Sequence, residues 1–158
     1  MTALLTFLQE THLAQWVSGS SSIWGYPTIL TLHTVGLALL VGLNVVIDLR
    51  ILGVGRTGPL AAMVSLFPVM WAGLAINTVT GVLLFIADAV RKAGQPVFLV
   101  KLSCIVCAVV VLVLLRPIVS RAPARDTGPS PVPARRLAVA SLVLWTGAIA
   151  AGRLMAYL

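Results

Sequence analysis

Four long apolar stretches alternate along the chain with short connections rich in polar residues, glycine and proline. The first stretch runs from Pro27 to Arg50, and the others cover about 68–90, 97–115 and 137–157. About 20 apolar residues suffice for a helix to cross the hydrocarbon core of a bilayer. The pattern therefore predicts an all-α, polytopic membrane protein whose membrane domain, residues 23–158, is an antiparallel bundle of four transmembrane helices.

The segments outside these stretches are short. Residues 1–22 are too polar to span a membrane and lack the features of a cleavable signal, so they predict a short interfacial helix that is kept in the mature protein. Trp24 and Tyr26 then form an aromatic belt at the headgroup level. Residues 121–136 are rich in proline, glycine and arginine, which predicts a disordered or extended loop in water.

Composition supports this interpretation. The chain has 158 residues, of which 59% are hydrophobic and 9% charged, with a mean hydropathy of +1.07. An aqueous surface needs far more charge, so a soluble domain is excluded. The net charge of +7 comes from basic residues scattered at the ends of the spans, a pattern that reflects membrane topology rather than binding to nucleic acid.

The basic residues also predict an orientation. Arg91, Lys92, Lys101 and Arg153 lie towards one membrane face. Because cytoplasmic loops carry the excess of lysine and arginine, we expect the opposite, more basic face to be cytoplasmic and both termini to lie outside. The residues of that opposite face are Arg50, Arg56, Arg116, Arg121, Arg125, Arg135 and Arg136.

Polar residues within the spans are the candidates for chemistry. On a regular helix His33, Asn44 and Asp48 fall within a sector of about 60°, so the first span is expected to have one polar face. In the second span Gly73, Asn77 and Gly81 are spaced four apart, which predicts a groove where another helix approaches closely. An Asp48–Asn44–Asn77 chain is one conceivable proton relay.

We expect a polar pocket in the outer half of the bundle, lined by His33, Asn77, Thr80 and Arg153. An imidazole there can ligate haem or a metal, shuttle protons or bind a quinone carbonyl. Alternatively, His33 is a neutral side chain that bonds a neighbouring helix and holds the bundle together. A haem with two histidine ligands would need His12, which requires the N-terminal segment to fold back over the outer mouth.

Three further features have both a functional and a structural interpretation. Cys104 and Cys107 could join His33 in a soft site for Cu(I), but packing is the more common role of buried cysteines. Arg153 either extends to the outer surface or turns inward beside His33. Asp88 and Lys101 lie at nearly equal depth on neighbouring helices, which predicts a structural ion pair.

The sequence shows no nucleophile with a base, no phosphate-binding glycine loop and no paired carboxylates, so we do not expect an enzyme. Six segments of the chain carry a resemblance: HTVGLALLVG at 33–42, DLRILG at 48–53, TGVLLF at 80–85, DA at 88–89, KL at 101–102 and GRLMAY at 152–157. With these segments, from Trp24 onward, the chain resembles a family of uncharacterised four-helix bacterial inner-membrane proteins. It is also loosely similar to membrane cytochrome b and copper-resistance-D type bundles.

The resemblance implies a four-helix fold in a bacterial inner membrane, with His33 as a ligand position. Relatives often carry a further histidine late in the third helix, where this chain has Leu114, Leu115 and Arg116, and this difference argues against a haem with two histidine ligands. The leading hypothesis is a small membrane subunit that binds b-type haem, a quinone or another lipophilic ligand for electron transfer. The alternatives are a structural or assembly protein that forms homo-oligomers or docks on a larger membrane complex, and copper handling or small-solute transport.

Overall fold

A computed structural model describes residues 2–19, 22–55, 59–123 and 130–157, and it confirms an all-α fold. Its four long apolar helices are each long enough to cross a membrane. We name them span 1 to span 4 in chain order: Tyr26–Leu52, Leu60–Ile86, Pro96–Ser120 and Val132–Leu154. They pack together, and the lipid bilayer is the environment that their length and hydropathy require.

Span 1 is not a regular helix throughout. It consists of α3 (Tyr26–Leu37), a π-helical segment (Ala38–Gly42) and α4 (Leu43–Leu52). The span ends at Gly53, whose φ of 96° lies in the left-handed region that favours glycine. Gly53 N–H donates to the carbonyl of Arg50 and Val54 N–H to that of Leu49, so the end of the helix is capped by backbone groups.

Span 2 begins earlier and ends earlier than expected. It starts with a 3₁₀ helix (Leu60–Leu66) and continues as α5 (Phe67–Ile86), with Pro68 in the first turn, where its missing N–H is harmless. At Asp88 the backbone leaves the helical region (φ −151°, ψ 46°), and the short helix α6 (Ala89–Ala93) follows. The expected helix to residue 90 is therefore broken before its end.

Spans 3 and 4 are longer than predicted. Helix α7 (Pro96–Ser120) continues past Leu115, and α8 (Val132–Leu154) begins before Leu137. The prediction of a loop over 121–136 is wrong at 132–136, where Pro133 occupies the first turn of α8 and so does not interrupt the helix. Residues 124–129, including Arg125, and Arg56 in the first connection lie outside the described residues.

The spans form two helical hairpins. Helix α3 packs along α5, and α7 packs along α8. The hairpins join through α4 against α8 and through the 3₁₀ helix against α7, around a hydrophobic core that includes Leu40, Ile47, Phe67, Leu112 and Trp145. Among the described residues, α3 makes no comparable contact with α7 or α8. The bundle is therefore closed in the half that contains α4 and more open in the half that contains α3.

The N-terminal segment forms two short helices rather than one: α1 (Thr2–Gln9) and α2 (His12–Gly19). Thr11 separates them, since its hydroxyl donates to the Leu8 carbonyl and accepts from Ala14 N–H. Helix α1 packs on α6 and α2 on α5, at the end of the bundle where span 1 begins. Buried Val17 lies close to Ile29 and Ala87 there, and Leu4, Phe7 and Trp16 are exposed.

Candidate functional site

The close contact between α3 and α5 positions the candidate site. A Cβ atom built on Gly36 would lie 2.9 Å from the Gly73 carbonyl oxygen, and one built on Gly73 would lie 2.9 Å from the Gly36 carbonyl oxygen. Two helices come this close only where both lack side chains. The groove predicted from Gly73, Asn77 and Gly81 is thus filled by span 1 of the same chain.

This contact brings together three of the four residues predicted for the pocket. The Asn77 amide Nδ2 donates to the His33 carbonyl oxygen at 2.8 Å, and His33 Nδ1 lies 3.0 Å from Thr80 Oγ1. Thr80 is buried, and His33 and Asn77 are partly buried. Asn77 therefore holds the backbone of α3 against α5, and Thr80 orients the imidazole.

The hydrogen bonds of Thr80 determine which nitrogen of His33 carries the proton. A hydroxyl has one hydrogen, and Thr80 Oγ1 directs its hydrogen back to its own helix, to the Ile76 carbonyl at 2.7 Å with the Asn77 carbonyl at 3.3 Å. Thr80 Oγ1 must then accept from His33 Nδ1–H. In the neutral imidazole this arrangement leaves a lone pair on Nε2, the usual outcome when the other nitrogen donates to a fixed acceptor.

The surroundings of His33 extend from span 2 to span 3. The His33 ring lies over Gly81, where a Cβ would come within 3.3 Å of the imidazole Cε1. Lys101 on α7 is partly buried and interacts electrostatically with His33. The Lys101 Nζ would lie 3.7 Å from a Cβ at Gly152 on α8. The His33 imidazole and the Lys101 ammonium group thus both lie in the more open half of the bundle. There α5 and α8 carry glycine, at Gly81 and Gly152.

Two aromatic rings connect the hairpins near the turn that joins spans 2 and 3. Phe85, one residue before the end of α5, stacks on Phe98 near the start of α7, with ring centroids 5.1 Å apart and an angle of 10° between planes. The spacing of residues along the chain does not predict this pair. The only signal was the presence of both residues close to the turn that joins spans 2 and 3.

Arg153 and His12 do not join this group. Arg153 is exposed in the last turn of α8, and no hydrogen bond or ion pair of the described residues links it to His33. This is the more common outcome for an arginine near the end of a span, where the side chain reaches water. His12 is exposed on α2, although that helix does fold back over the bundle.

The predicted ion pair between Asp88 and Lys101 is replaced by a local one. Asp88 accepts from Arg91 Nε at 2.7 Å; the Arg91 side chain is 54% exposed and that of Asp88 is 31% exposed. Asp88 directly precedes α6, so the side chain of an arginine three residues later can reach it. Lys101 lies on the next span, α7. Lys92 donates to the Leu84 carbonyl, and burial lowers the pKa of Lys92 from its ordinary value.

The cysteines do not form a metal site with His33. The described residues contain no group of three or more His, Cys, Asp or Glu side chains that could hold a metal ion. Cys104 Sγ lies 3.4 Å from the Cβ position of Gly147 on α8, and Cys107 is exposed. Cys104 therefore packs in the α7–α8 contact, as expected for a small apolar side chain.

Asn44 and Asp48 form a separate cluster on the opposite side of the π-helical segment. The Asn44 amide Nδ2 donates to Asp48 Oδ2 at 2.7 Å and to Ser141 Oγ on α8 at 2.6 Å. Asn77 bonds His33 instead, so the predicted Asp48–Asn44–Asn77 relay is not continuous. Ser141 was not predicted as a partner, because nothing along the chain indicates which face of span 4 meets span 1.

The phase of span 1 explains why the two polar clusters separate. On a regular helix His33 and Asn44 would share a face, but His33 faces α5 and Asn44 faces α8. The π-helical segment Ala38–Gly42 lies between them. Such a segment adds about one residue to a turn, which rotates everything after it by about 100°. The prediction of a single polar face was therefore wrong.

The chain belongs to a family of unknown function, DUF6644, whose model matches residues 9–158. Searches of curated proteins and of solved structures found no match. The family confirms the predicted membership of an uncharacterised family, and no match connects the chain to membrane cytochrome b or to copper-resistance-D type bundles.

Proposed function

We propose that this protein is a non-catalytic integral membrane subunit that binds a lipophilic ligand of the quinol or quinone class beside His33. The observation that carries the proposal is the hydrogen-bond arrangement of Thr80, which leaves the Nε2 lone pair of a partly exposed imidazole available to accept a hydrogen bond. A quinol hydroxyl is a donor of the matching kind.

The neighbouring groups suit such a ligand. Lys101 carries an ammonium group, which can donate to a ligand oxygen. The stacked Phe85 and Phe98 rings offer an apolar, aromatic boundary for a planar head group. The sparse contact of α3 with α7 and α8 favours lateral entry from the bilayer. Ligand pockets combine an apolar lining with a few polar groups in this way.

A b-type haem is the competing ligand, since the same Nε2 could bind iron. A second protein ligand would have to come from another residue, and the remaining histidine, His12, is exposed on α2. Copper handling has weaker support, because the described residues offer no cluster of ligands. The position of His12 therefore favours the quinol class over a haem with two histidine ligands.

Binding of a short-chain benzoquinol to the full chain in lipid nanodiscs tests the proposal. Loss of one hydrogen bond, worth about 1 kcal/mol, should lower the affinity of Thr80→Val and of His33→Phe by about fivefold. Thr78→Val is the matched control, since Thr78 is exposed on the same helix, and it should bind as the native chain does. Folded Thr80→Val and His33→Phe variants that bind with native affinity would refute the proposal.

An absorption spectrum of the purified protein, oxidised and then reduced with dithionite, separates the haem alternative. A Soret band that sharpens on reduction and disappears in His33→Phe would establish haem in place of a quinol. We expect no such band in the native protein. Circular dichroism of each variant checks that the helices persist.

We propose a bacterial inner membrane as the location, with both termini outside. The described basic residues at one end of the bundle are Arg50, Arg116, Arg121, Arg135 and Arg136, against four at the other. The excess favours that end as cytoplasmic. A reporter that is active only in the cytoplasm should be inactive at either terminus, and activity would reverse the orientation.

Oxidation of a bound quinol releases electrons and protons, so a non-catalytic subunit would need an electron acceptor on another protein. We therefore propose that the chain docks on a larger membrane complex or on a second copy of itself. The exposed apolar side chains of spans 2, 3 and 4, such as Val79, Val106 and Val143, provide lipid-facing surface for such contacts. Native mass spectrometry from membranes should detect a species larger than 16.6 kDa, and a monomer alone would contradict this.

A further inference from the structure

The cluster between α4 and α8 contains more polar atoms than its own hydrogen bonds satisfy. Asn44, Asp48 and Ser141 are all 0% exposed, and Trp145, one turn further along α8, is 2% exposed. Within the part of the chain that the structure describes, Asn44 Oδ1, Asp48 Oδ1 and Trp145 Nε1 have no hydrogen-bond partner. Polar groups buried in this way are costly unless something binds them.

The charge of Asp48 is also uncompensated by the described residues. Its carboxylate accepts from the neutral Asn44 amide, and no basic side chain among these residues lies within ion-pair distance of it. A carboxylate in the interior of a membrane bundle requires a proton or a cation. The unsatisfied atoms on Asn44 and Asp48 are both oxygens, and Ser141, whose Oγ accepts from the Asn44 amide, adds a third oxygen to the same cluster.

The chemistry of these oxygens selects the class of cation. Carboxylate, amide and hydroxyl oxygens are ligands for hard cations rather than for copper or zinc. With one carboxylate, a monovalent ion leaves the site neutral, whereas a divalent ion would leave a net positive charge in the bundle. Trp145 N–H is a donor only, so it cannot bind a cation, but it can donate to a water molecule that does.

We propose that Asn44, Asp48 and Ser141 bind a small monovalent cation, Na⁺, between spans 1 and 4. The π-helical segment directly precedes Asn44 and turns it towards α8, which places the three oxygen-bearing side chains together. Irregular helical segments of this kind recur at functional sites. The site is separate from the His33 region, so its test does not depend on the proposed quinol ligand.

Thermal unfolding of the full chain in nanodiscs tests this site, with NaCl replaced by LiCl, KCl or choline chloride at constant ionic strength. A ligand that binds only the folded protein raises its stability in a saturable manner. We expect Tm to rise by several degrees with Na⁺ relative to choline and to level off at high concentration. Direct binding of ²²Na⁺ to the native protein should saturate over the same range.

Variants assign the effect to the cluster. Asp48→Asn should abolish the dependence on Na⁺, and Ser141→Ala should weaken the apparent affinity about tenfold, a change that corresponds to the loss of one oxygen ligand. Asp88→Asn, which removes the partly exposed carboxylate just before α6, is the matched control and should keep the native response. If Asp48→Asn does not fold, the Ser141→Ala titration and ²²Na⁺ binding still decide the question.

Three results would overturn the proposal. An identical Tm in all four salts, together with no saturable ²²Na⁺ binding, would mean that a proton neutralises Asp48. A Na⁺ response that persists unchanged in both Ser141→Ala and folded Asp48→Asn would place the ion elsewhere. A response to K⁺ in place of Na⁺ would overturn the identity of the ion.

Discussion

Gly73→Ala tests whether the α3–α5 contact organises the His33 region. The new Cβ would lie 2.9 Å from the Gly36 carbonyl oxygen, 2.9 Å from Leu40 N and 3.0 Å from Leu39 Cβ. Two of these atoms belong to the backbone, so a rotamer change cannot relieve the contact. The helices must instead separate by about 0.5 Å to restore ordinary van der Waals distances.

Separating the two helices lowers the free energy of unfolding by an amount that can be worked out from the contacts. Overpacking of this kind typically costs about 1–3 kcal/mol. The same movement would lengthen the bond from Asn77 Nδ2 to the His33 carbonyl, now 2.8 Å, to about 3.3 Å, beyond the normal range for such bonds. A hydrogen bond between membrane helices contributes about 0.6 kcal/mol on average. We expect Gly73→Ala to lose about 2 kcal/mol in the free energy of unfolding.

Unfolding of detergent-solubilised protein by sodium dodecyl sulfate, followed by far-ultraviolet circular dichroism, measures this loss. Gly42→Ala is the control, because Gly42 is exposed in the same bundle and a Cβ there meets nothing within 4 Å. It should not destabilise the protein, and the higher helix propensity of alanine should add up to about 1 kcal/mol. The pair Gly36→Ala and Gly73→Ala should cost less than the sum of the singles, since one separation relieves both contacts. Equal stability of Gly73→Ala and Gly42→Ala would refute the reasoning.

Other consequences concern the charged residues. A double-mutant cycle should give a coupling of less than about 1 kcal/mol between Asp88 and Arg91, because Arg91 is exposed and Asp88 is partly exposed, and none between Asp88 and Lys101; a clear coupling to Lys101 would restore the predicted ion pair. Burial lowers the pKa of Lys92 below 10.5, so the unfolded chain holds this proton to higher pH than the folded protein does. The free energy of unfolding should therefore gain a contribution that rises with pH in the window just below 10.5, and Lys92→Met should flatten the measured slope. Arg153→Gln should leave stability and benzoquinol affinity unchanged in the same unfolding and binding assays, because its side chain is exposed; a large loss of affinity would place it in the site after all.

The lengths of the helices were predictable only in part. Apolar stretches located all four spans, because a bilayer requires about 20 apolar residues whatever the neighbours of a helix are. The ends were less certain, since a proline suits the first turn of a helix as well as a loop. Pro133 illustrates this: it appeared to belong to a loop, and it lies in the first turn of α8.

The local spacing of residues determined part of the candidate site. Gly73, Asn77 and Gly81, four apart on one helix, indicated a groove with an amide at its centre, and His33 and Thr80 were expected near it. The regular period of a helix is enough for such inferences within one element. It does not reveal that Thr80 directs its own hydrogen to Ile76, which determines the free nitrogen of His33.

The partners of Asn44 and Asp48 were decided by tertiary structure alone. A regular helix would place them on the face of His33, but the π-helical segment rotates them towards α8, where Ser141 lies far away in sequence. Hydropathy is a property of each segment and can be read along the chain. Helix phase and the choice of facing residues depend on how α3 packs against α5 and α4 against α8, and these are contacts between distant parts of the chain.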